Sequence, residues 1–203
     1  MIVNKMLAKR AVPTLHNRIL TVSALLFFFG LVQGKSHAIE GMLQLHKGSE
    51  SGTQGYTLGV TDSLFRHKAL NWSLTYNLLD DVNVDWNNDS LDFSLDTIEA
   101  SLSYRYSPKS YNDFVKGLTF EAQAGIGIAM TENKFVWPSL DEEKFFSEKG
   151  DINPFIAFTV YKKLTKQASV HLGVKHYPSY SEFGDISSAF IGVNYRFGRQ
   201  IGY

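Results

Sequence analysis

The sequence predicts an all-β chain: an eight-stranded antiparallel up-and-down transmembrane β-barrel behind a cleaved signal peptide. Three observations lead there: a basic, then apolar, then small-residue layout at the start of the chain; two-residue alternation of apolar and polar side chains after it; and connections that alternate between short and long. The 203 residues carry 20 Lys+Arg against 20 Asp+Glu, but the balance is uneven. Residues 1–38 hold five basic residues (Lys5, Lys9, Arg10, Arg18, Lys35) and no acid, which leaves 15 basic against 20 acidic residues in 39–203. That mildly acidic body argues against nucleic acid as a partner. The absence of cysteine excludes a disulfide scaffold, thiolate metal sites, a thiol nucleophile and a lipoprotein anchor.

The first element is an address. An apolar run of 14 residues over 19–32 follows the basic stretch, and residues 33–38 are polar and end in Ala38 with Ser36 two before it. At 1.5 Å per residue the run reaches only about 21 Å, short of the roughly 30 Å hydrocarbon core, so it reads as a secretory signal with cleavage after Ala38. The domain plan is therefore signal peptide over 1–38 and barrel over 39–203.

Eight strands follow. In 39–46, Leu43 and Leu45 alternate with Gln44 and His46; in 54–61, Tyr56, Leu58 and Val60 alternate with Thr57 and Gly59. In 70–78, Leu70, Trp72 and Leu74 oppose Asn71, Ser73 and Thr75; in 98–106, Leu102, Tyr104 and Tyr106 oppose Glu99, Ser101 and Arg105. In 118–128, Phe120, Ala122 and Ala124 oppose Glu121 and Gln123. The stretch 153–162 is apolar on both faces, and Ile156, Phe158 and Val160 are taken as its outer set. Leu172 and Val174 oppose His171 and Lys175, and in 189–197 Ile191, Val193, Tyr195 and Phe197 oppose Phe190, Asn194 and Arg196. Each strand has about the 9–11 residues that a tilted crossing strand needs. The links after strands two, four and six are short and basic, whereas 79–96 and 130–151 are long, acidic and expected as external loops.

Alternation does not by itself separate an apolar-out barrel from a soluble sandwich or lipocalin-like barrel with its apolar set inward. The secretory signal on a cysteine-free β chain, polar sets rich in Ser, Thr, Asn, Gln and Gly, and Tyr and Trp near strand ends all favour apolar-out.

The stretch Gly192-Val193-Asn194-Tyr195-Arg196-Phe197 resembles the terminal-strand signal of bacterial outer-membrane proteins, Gly followed by aromatics two apart. With the signal peptide and eight strands, the mature chain is similar to the small eight-stranded outer-membrane barrels of Gram-negative cell envelopes. That resemblance implies an outer-membrane location reached through the periplasm. It also implies contact with outer-membrane lipid and lipopolysaccharide, and recognition of Gly192, Tyr195 and Phe197 by the assembly machinery. Two departures stand out: Phe190 occupies a position usually polar in the family, and 198–203 follow Phe197, where the signal normally closes the chain.

The inward sets bring Glu40, Glu99 and Glu121 together with Arg105, Lys175 and Arg196. An eight-stranded barrel is just wide enough for side chains to fill it, and buried charges have to be paired, so these six are expected to form a salt-bridge network that plugs the lumen. The alternative is a narrow, porin-like channel for small solutes. The loops 79–96 and 130–151 are the expected sites for an extracellular ligand. Residues 80–89 place four Asp and three Asn within ten positions, but without EF-hand spacing, and read as a solvated acidic loop. Phe135, Trp137, Phe145 and Phe146 either form a binding patch or pack over the barrel mouth.

One grouping suggests an enzyme. His176, Ser179 and Glu182 supply a base, a hydroxyl and an acid, as acyl transfer would need. Their place resembles the active site of the outer-membrane lipid A deacylase family. That family has Ser two residues after the His, where this chain has Pro178, and Ser179 would point to the opposite strand face. No metal-ligand spacing or nucleotide motif appears, so the expectation is a non-enzymatic protein without cofactor or metal, with a structural or surface-interaction role.

Overall fold

The computed structural model describes residues 39–49, 52–64, 69–86, 89–109, 112, 115–137 and 142–197. The expected signal peptide and the segment 198–203 lie outside them. In chain order the strands are β1 (Glu40–Gly48), β2 (Gln54–Ser63), β3 (Leu70–Trp86), β4 (Asp89–Tyr106), β5 (Leu118–Ala129), β6 (Asn133–Trp137), β7 (Glu142–Ser147), β8 (Ile152–Lys163), β9 (Ala168–Tyr177) and β10 (Ile186–Arg196). Eight of them close an antiparallel barrel in the order β1-β10-β9-β8-β5-β4-β3-β2, while β6 and β7 form a separate hairpin. The barrel closes by pairing β1 with β10, from Glu40 opposite Arg196 to Gly48 opposite Ser188. The first and last strands therefore start and end at one rim, the terminal rim. The long β3–β4 hairpin and the β6–β7 hairpin stand at the other, the hairpin rim.

The two stretches expected as loops are corrected here. Residues 79–96 continue β3 and β4, which reach 17 and 18 residues, and the 130–151 stretch contains β6 and β7. The alternation never stopped at Leu79; the Asp and Asn residues concealed it. Leu91, Phe93 and Leu95 still step by two, and a bulge between Leu79 and Val82 resets the opposing strand. Asp81 has φ 55°, a left-handed conformation that Asp tolerates. One extra residue flips side-chain parity, so Leu79 before the bulge and Val82 after it both turn into the same buried cluster.

The barrel is inverted relative to a soluble protein. Leu45, Leu102, Ile152, Leu172 and Ile191 are each more than half exposed on the outside. Gln44, Thr57, Asn77, Glu99, Thr159 and Lys175 are buried inside. On β8, Ile156 and Phe158 face out, whereas Phe155, Thr159 and Tyr161 are buried within. These exposed side chains form an apolar band round the outside of the barrel, which suits a hydrocarbon surrounding. At its terminal edge Tyr104, Tyr106, Tyr195 and Phe197 are about half exposed, at the level where an aromatic girdle sits.

Glycines make room for rings in the narrow interior. Gly125 faces Phe155 across β5–β8, and Gly173 and Gly192 face Phe190 and His171 across β9–β10. In each pair a Cβ on the glycine would come within 3.0 Å of the partner ring, so the ring lies flat over its neighbour strand.

Candidate functional site: the barrel lumen

Near the terminal rim, β1, β4, β5 and β10 deliver Glu40, Arg105, Glu121 and Arg196 to one layer. Arg105 Nη1 pairs with Glu40 Oε2 at 3.0 Å and its Nε donates to Glu121. Arg196 donates to the other Glu40 oxygen, through Nε at 2.9 Å and through Nη2. Tyr161 Oη donates to Glu121 Oε1 at 3.0 Å, and the Arg105 guanidinium lies 5.0 Å above the Tyr161 ring. Two carboxylates thus meet two guanidiniums, which balances the charge of the layer and satisfies most of its polar atoms.

The middle of the lumen is neutral and hydrogen-bonded. Thr57 Oγ1 donates to Asn77 Oδ1 at 2.6 Å and lies 2.8 Å from His46 Nε2. A hydroxyl has one proton, so with Thr57 donating to Asn77 the His46 Nε2 carries the hydrogen. His46 Nδ1 then accepts from Ser188 Oγ at 3.1 Å. Gln44 Nε2 lies 3.2 Å from His171 Nε2, and Gln123 donates to Ser73 and Ser101. Phe190 sits between the two histidines, 5.1 Å from His46 and 6.0 Å from His171.

Toward the hairpin rim, Lys175 Nζ binds both Glu99 oxygens at 2.8 and 3.1 Å. Thr75 Oγ1 donates to Glu99 at 2.8 Å and Tyr177 Oη donates to it as well. The two charged side chains are 4% and 2% exposed, so the pair is held away from water and completed by hydroxyls. An apolar cluster of Leu79, Val82, Leu95, Phe155, Tyr177, Tyr180 and Ile186 lies on that side, with Phe183 against it. Phe146 of β7 reaches this cluster, 5.7 Å from Phe183 and 5.1 Å from Phe93. Of the loop aromatics, Phe146 therefore packs over the mouth, while Phe145 turns to the other hairpin face, 5.3 Å from Lys134 Nζ. Burial, with Glu99, Asp96 and Asp151 nearby, pushes the Tyr180 hydroxyl above its ordinary value, so it stays neutral over the mouth.

The six charged residues picked out from the sequence therefore divide into two groups, four near the terminal rim and two near the other. Sequence reasoning missed Tyr161, Tyr177 and Thr75, which complete the carboxylates. Their inward parity was the available signal, and on β8 that signal was blurred by apolar residues on both faces.

His176, Ser179 and Glu182 do not assemble into a catalytic set. His176 has outward parity and pairs through Nδ1 with Ser187 Oγ at 2.8 Å, Ser179 is exposed, and Glu182 binds Lys144. The 3₁₀ turn Ser181–Phe183, entered with Ser181 at φ 47°, carries Glu182 over the mouth, while Ser181 ties to Asp151 at 2.7 Å. Among the described residues no cluster of three His, Asp or Glu side chains could hold a metal ion. Of the terminal-strand residues, Gly192 lies inside, where a Cβ would meet the His171 ring, and Tyr195 and Phe197 lie outside with ring centroids 5.0 Å apart. Phe197 N donates to Ile39 O at 2.9 Å, so the ladder runs one residue past β10.

No family model matches the chain, and neither does any curated protein. Solved structures do. Neisserial surface protein A is 16% identical, with a TM-score of 0.53 over 79% of this chain and 97% of that one. A designed transmembrane β-barrel is 13% identical, at 0.45 over 80% and 98%. Ail of Yersinia pestis, solved with the heparin analogue sucrose octasulfate, is 10% identical, at 0.45 over 79% and 97%. The chain has the closed eight-stranded antiparallel fold of the outer-membrane β-barrels.

Proposed function

We propose that the chain, once its signal peptide over 1–38 is removed, is an integral outer-membrane protein of the Gram-negative envelope with a structural or surface-interaction role. The terminal rim faces the periplasm and the two hairpins face outside. Lipid and lipopolysaccharide surround the apolar band, the assembly machinery reads Gly192, Tyr195 and Phe197, and an extracellular ligand engages 79–96 and 130–151. The observation that carries this reading is the filling of the lumen. Two charge-balanced layers, a hydrogen-bonded middle and the apolar cluster at the hairpin mouth put inward side chains at successive levels of the interior. Such an interior supports a plug over a porin-like channel, and the dispersed His176, Ser179 and Glu182 favour a non-enzymatic protein over a hydrolase.

Conductance tests the reading. The purified protein in planar bilayers should insert without a steady current, and a stable open channel from the wild type would overturn the plug. Protease added to intact cells should cut between Lys134 and Lys149. Protection of that hairpin with cleavage at Lys163 or Lys166 would invert the orientation.

A further inference from the structure

The basic character of the short turns has no part in the plug, yet the fold concentrates it. Strand β5 pairs with β8, with Leu118 opposite Lys162, and this brings the turn before β5 against the turn after β8. Lys163 N donates to Gly117 O at 3.2 Å, and Lys162 Nζ donates to Lys116 O at 2.8 Å. Lys116, Lys162, Lys163 and Lys166 therefore converge on one arc of the terminal rim, with Lys109 on the same turn as Lys116. Across 107–118 and 161–169 these five lysines face a single acid in the sequence, Asp113. Lys109, Lys116, Lys163 and Lys166 are exposed. The arc also touches the apolar band. Leu164, between the lysines, is 62% exposed, Tyr106 at the start of the neighbouring turn is 57% exposed, and Phe120 and Phe158 stack on the outer face with centroids 6.4 Å apart.

We infer that this arc is a docking site for the headgroup of an anionic phospholipid in the leaflet next to the terminal rim, with the phosphate on Lys116, Lys163 and Lys166 and the acyl chains along the outer face of β5 and β8. It rests on the membrane-spanning reading proposed above. The charge fits that occupant: ammonium groups beside an apolar, aromatic-edged surface sit where a bilayer presents its phosphates, and juxtamembrane lysines draw anionic lipid. The opposite rim differs, because 79–96 holds six Asp and no basic residue and the three lysines of 130–151 stand among six acids, so the net attraction is one-sided.

Native mass spectrometry of the full barrel tests it, with phosphatidylglycerol titrated against phosphatidylcholine of the same chains. Phosphatidylglycerol should bind preferentially, the preference should weaken in added salt, and the triple change Lys116→Gln, Lys163→Gln, Lys166→Gln should reduce it about tenfold. The pair Lys134→Gln, Lys144→Gln on the other rim should leave it unchanged. Equal binding of the two lipids, or a preference untouched by the triple change, overturns the inference. Slower assembly of the triple variant in cells with unaltered lipid preference also overturns it, and gives the arc to a periplasmic protein instead. Failure of the wild type to enter bilayers at all would sink the membrane reading itself, a result distinct from insertion without lipid preference.

Discussion

Phe190 lies across Gly173 of the neighbouring strand, and the two are Cα partners in the β9–β10 ladder. A Cβ on Gly173 would come 2.6 Å from Phe190 Cζ and 2.4 Å from the Phe158 carbonyl oxygen. The ring can turn, but the backbone oxygen cannot. Gly173→Ala should therefore destabilise the barrel by about 1–3 kcal/mol, the usual cost of overpacking. The urea midpoint of the refolded protein measures it. Gly41→Ala is the comparison: its Cβ would meet only the edge of the outward Phe197 ring, at 2.8 Å. An effect at Gly41 as large as that at Gly173 would contradict the packing described.

The buried pair Glu99–Lys175 gives a second prediction. Lys175→Met leaves a carboxylate that is 2% exposed without its cation, and breaking a buried pair this way costs about 3–5 kcal/mol. Adding Glu99→Gln removes the stranded charge and should recover much of the loss, because Thr75 can still donate to the amide oxygen. A double-mutant cycle reads the coupling directly. Additive losses would mean that the pair contributes little.

Much of this architecture was legible in advance, for a simple reason. A strand exposed to lipid on one side and to a polar interior on the other has to alternate, so the eight barrel strands and the facing of Glu99, Arg105 and Lys175 follow from period two. The extent of β3 and β4 did not, because beyond Leu79 the outward positions turn from apolar to Asp and Asn, and acidic residues there imitate a loop. The bulge at Asp81 hid the rest by shifting parity within a single strand. The grouping of the charges was equally out of reach: which acid meets which base depends on the stagger of the barrel, and Glu40 on β1 reaches Arg105 on β4 across the interior.

Strand β10 separates the two faces by adjacent residues. Val193 is half exposed on the apolar band, and an arginine there should cost about 2–4 kcal/mol near the bilayer midplane. Asn194 is 3% exposed and belongs to the same inward row as Arg196, so a further guanidinium at 194 would crowd a charge-balanced layer and is no mild control. Asn194→Ser is the better one. Val193→Arg should lower the heat-modifiable, folded fraction sharply while Asn194→Ser leaves most of it. The reverse ranking would place lipid on the wrong face.

Assembly gives a fourth prediction. Phe197 is half exposed, packs edge-on to Tyr195 and continues the ladder to Ile39. Phe197→Ala should reduce the amount recovered in the outer membrane, whereas removal of 198–203 should be tolerated. If the deletion abolishes recovery and Phe197→Ala does not, the recognised end of the strand lies beyond Phe197.

The last prediction treats the two ends of the lumen as barriers in series. At the terminal end the Arg105–Glu121 pair spans the interior toward Glu40. At the hairpin end Phe155 and Tyr180 stand in the apolar cluster, both 2% exposed. Arg105→Ala with Glu121→Ala removes one charge of each sign, so the layer stays balanced and Glu40 keeps Arg196. Phe155→Ala with Tyr180→Ala thins the other end without removing a charge, although it takes away the ring 5.1 Å from Lys175 Nζ. Barriers in series conduct only when both are lowered, so each pair alone should leave planar-bilayer current near the wild-type baseline, and the four changes together should produce a measurable polar pore. The variants should first be shown to keep the heat-modifiable shift of a folded barrel. Current from the Arg105/Glu121 pair alone would mean that the hairpin cluster is no seal. Current from the Phe155/Tyr180 pair alone would mean the same of the charged layer. A folded quadruple variant that stays silent would place the barrier in the neutral middle, where His46, His171 and Phe190 cross the lumen.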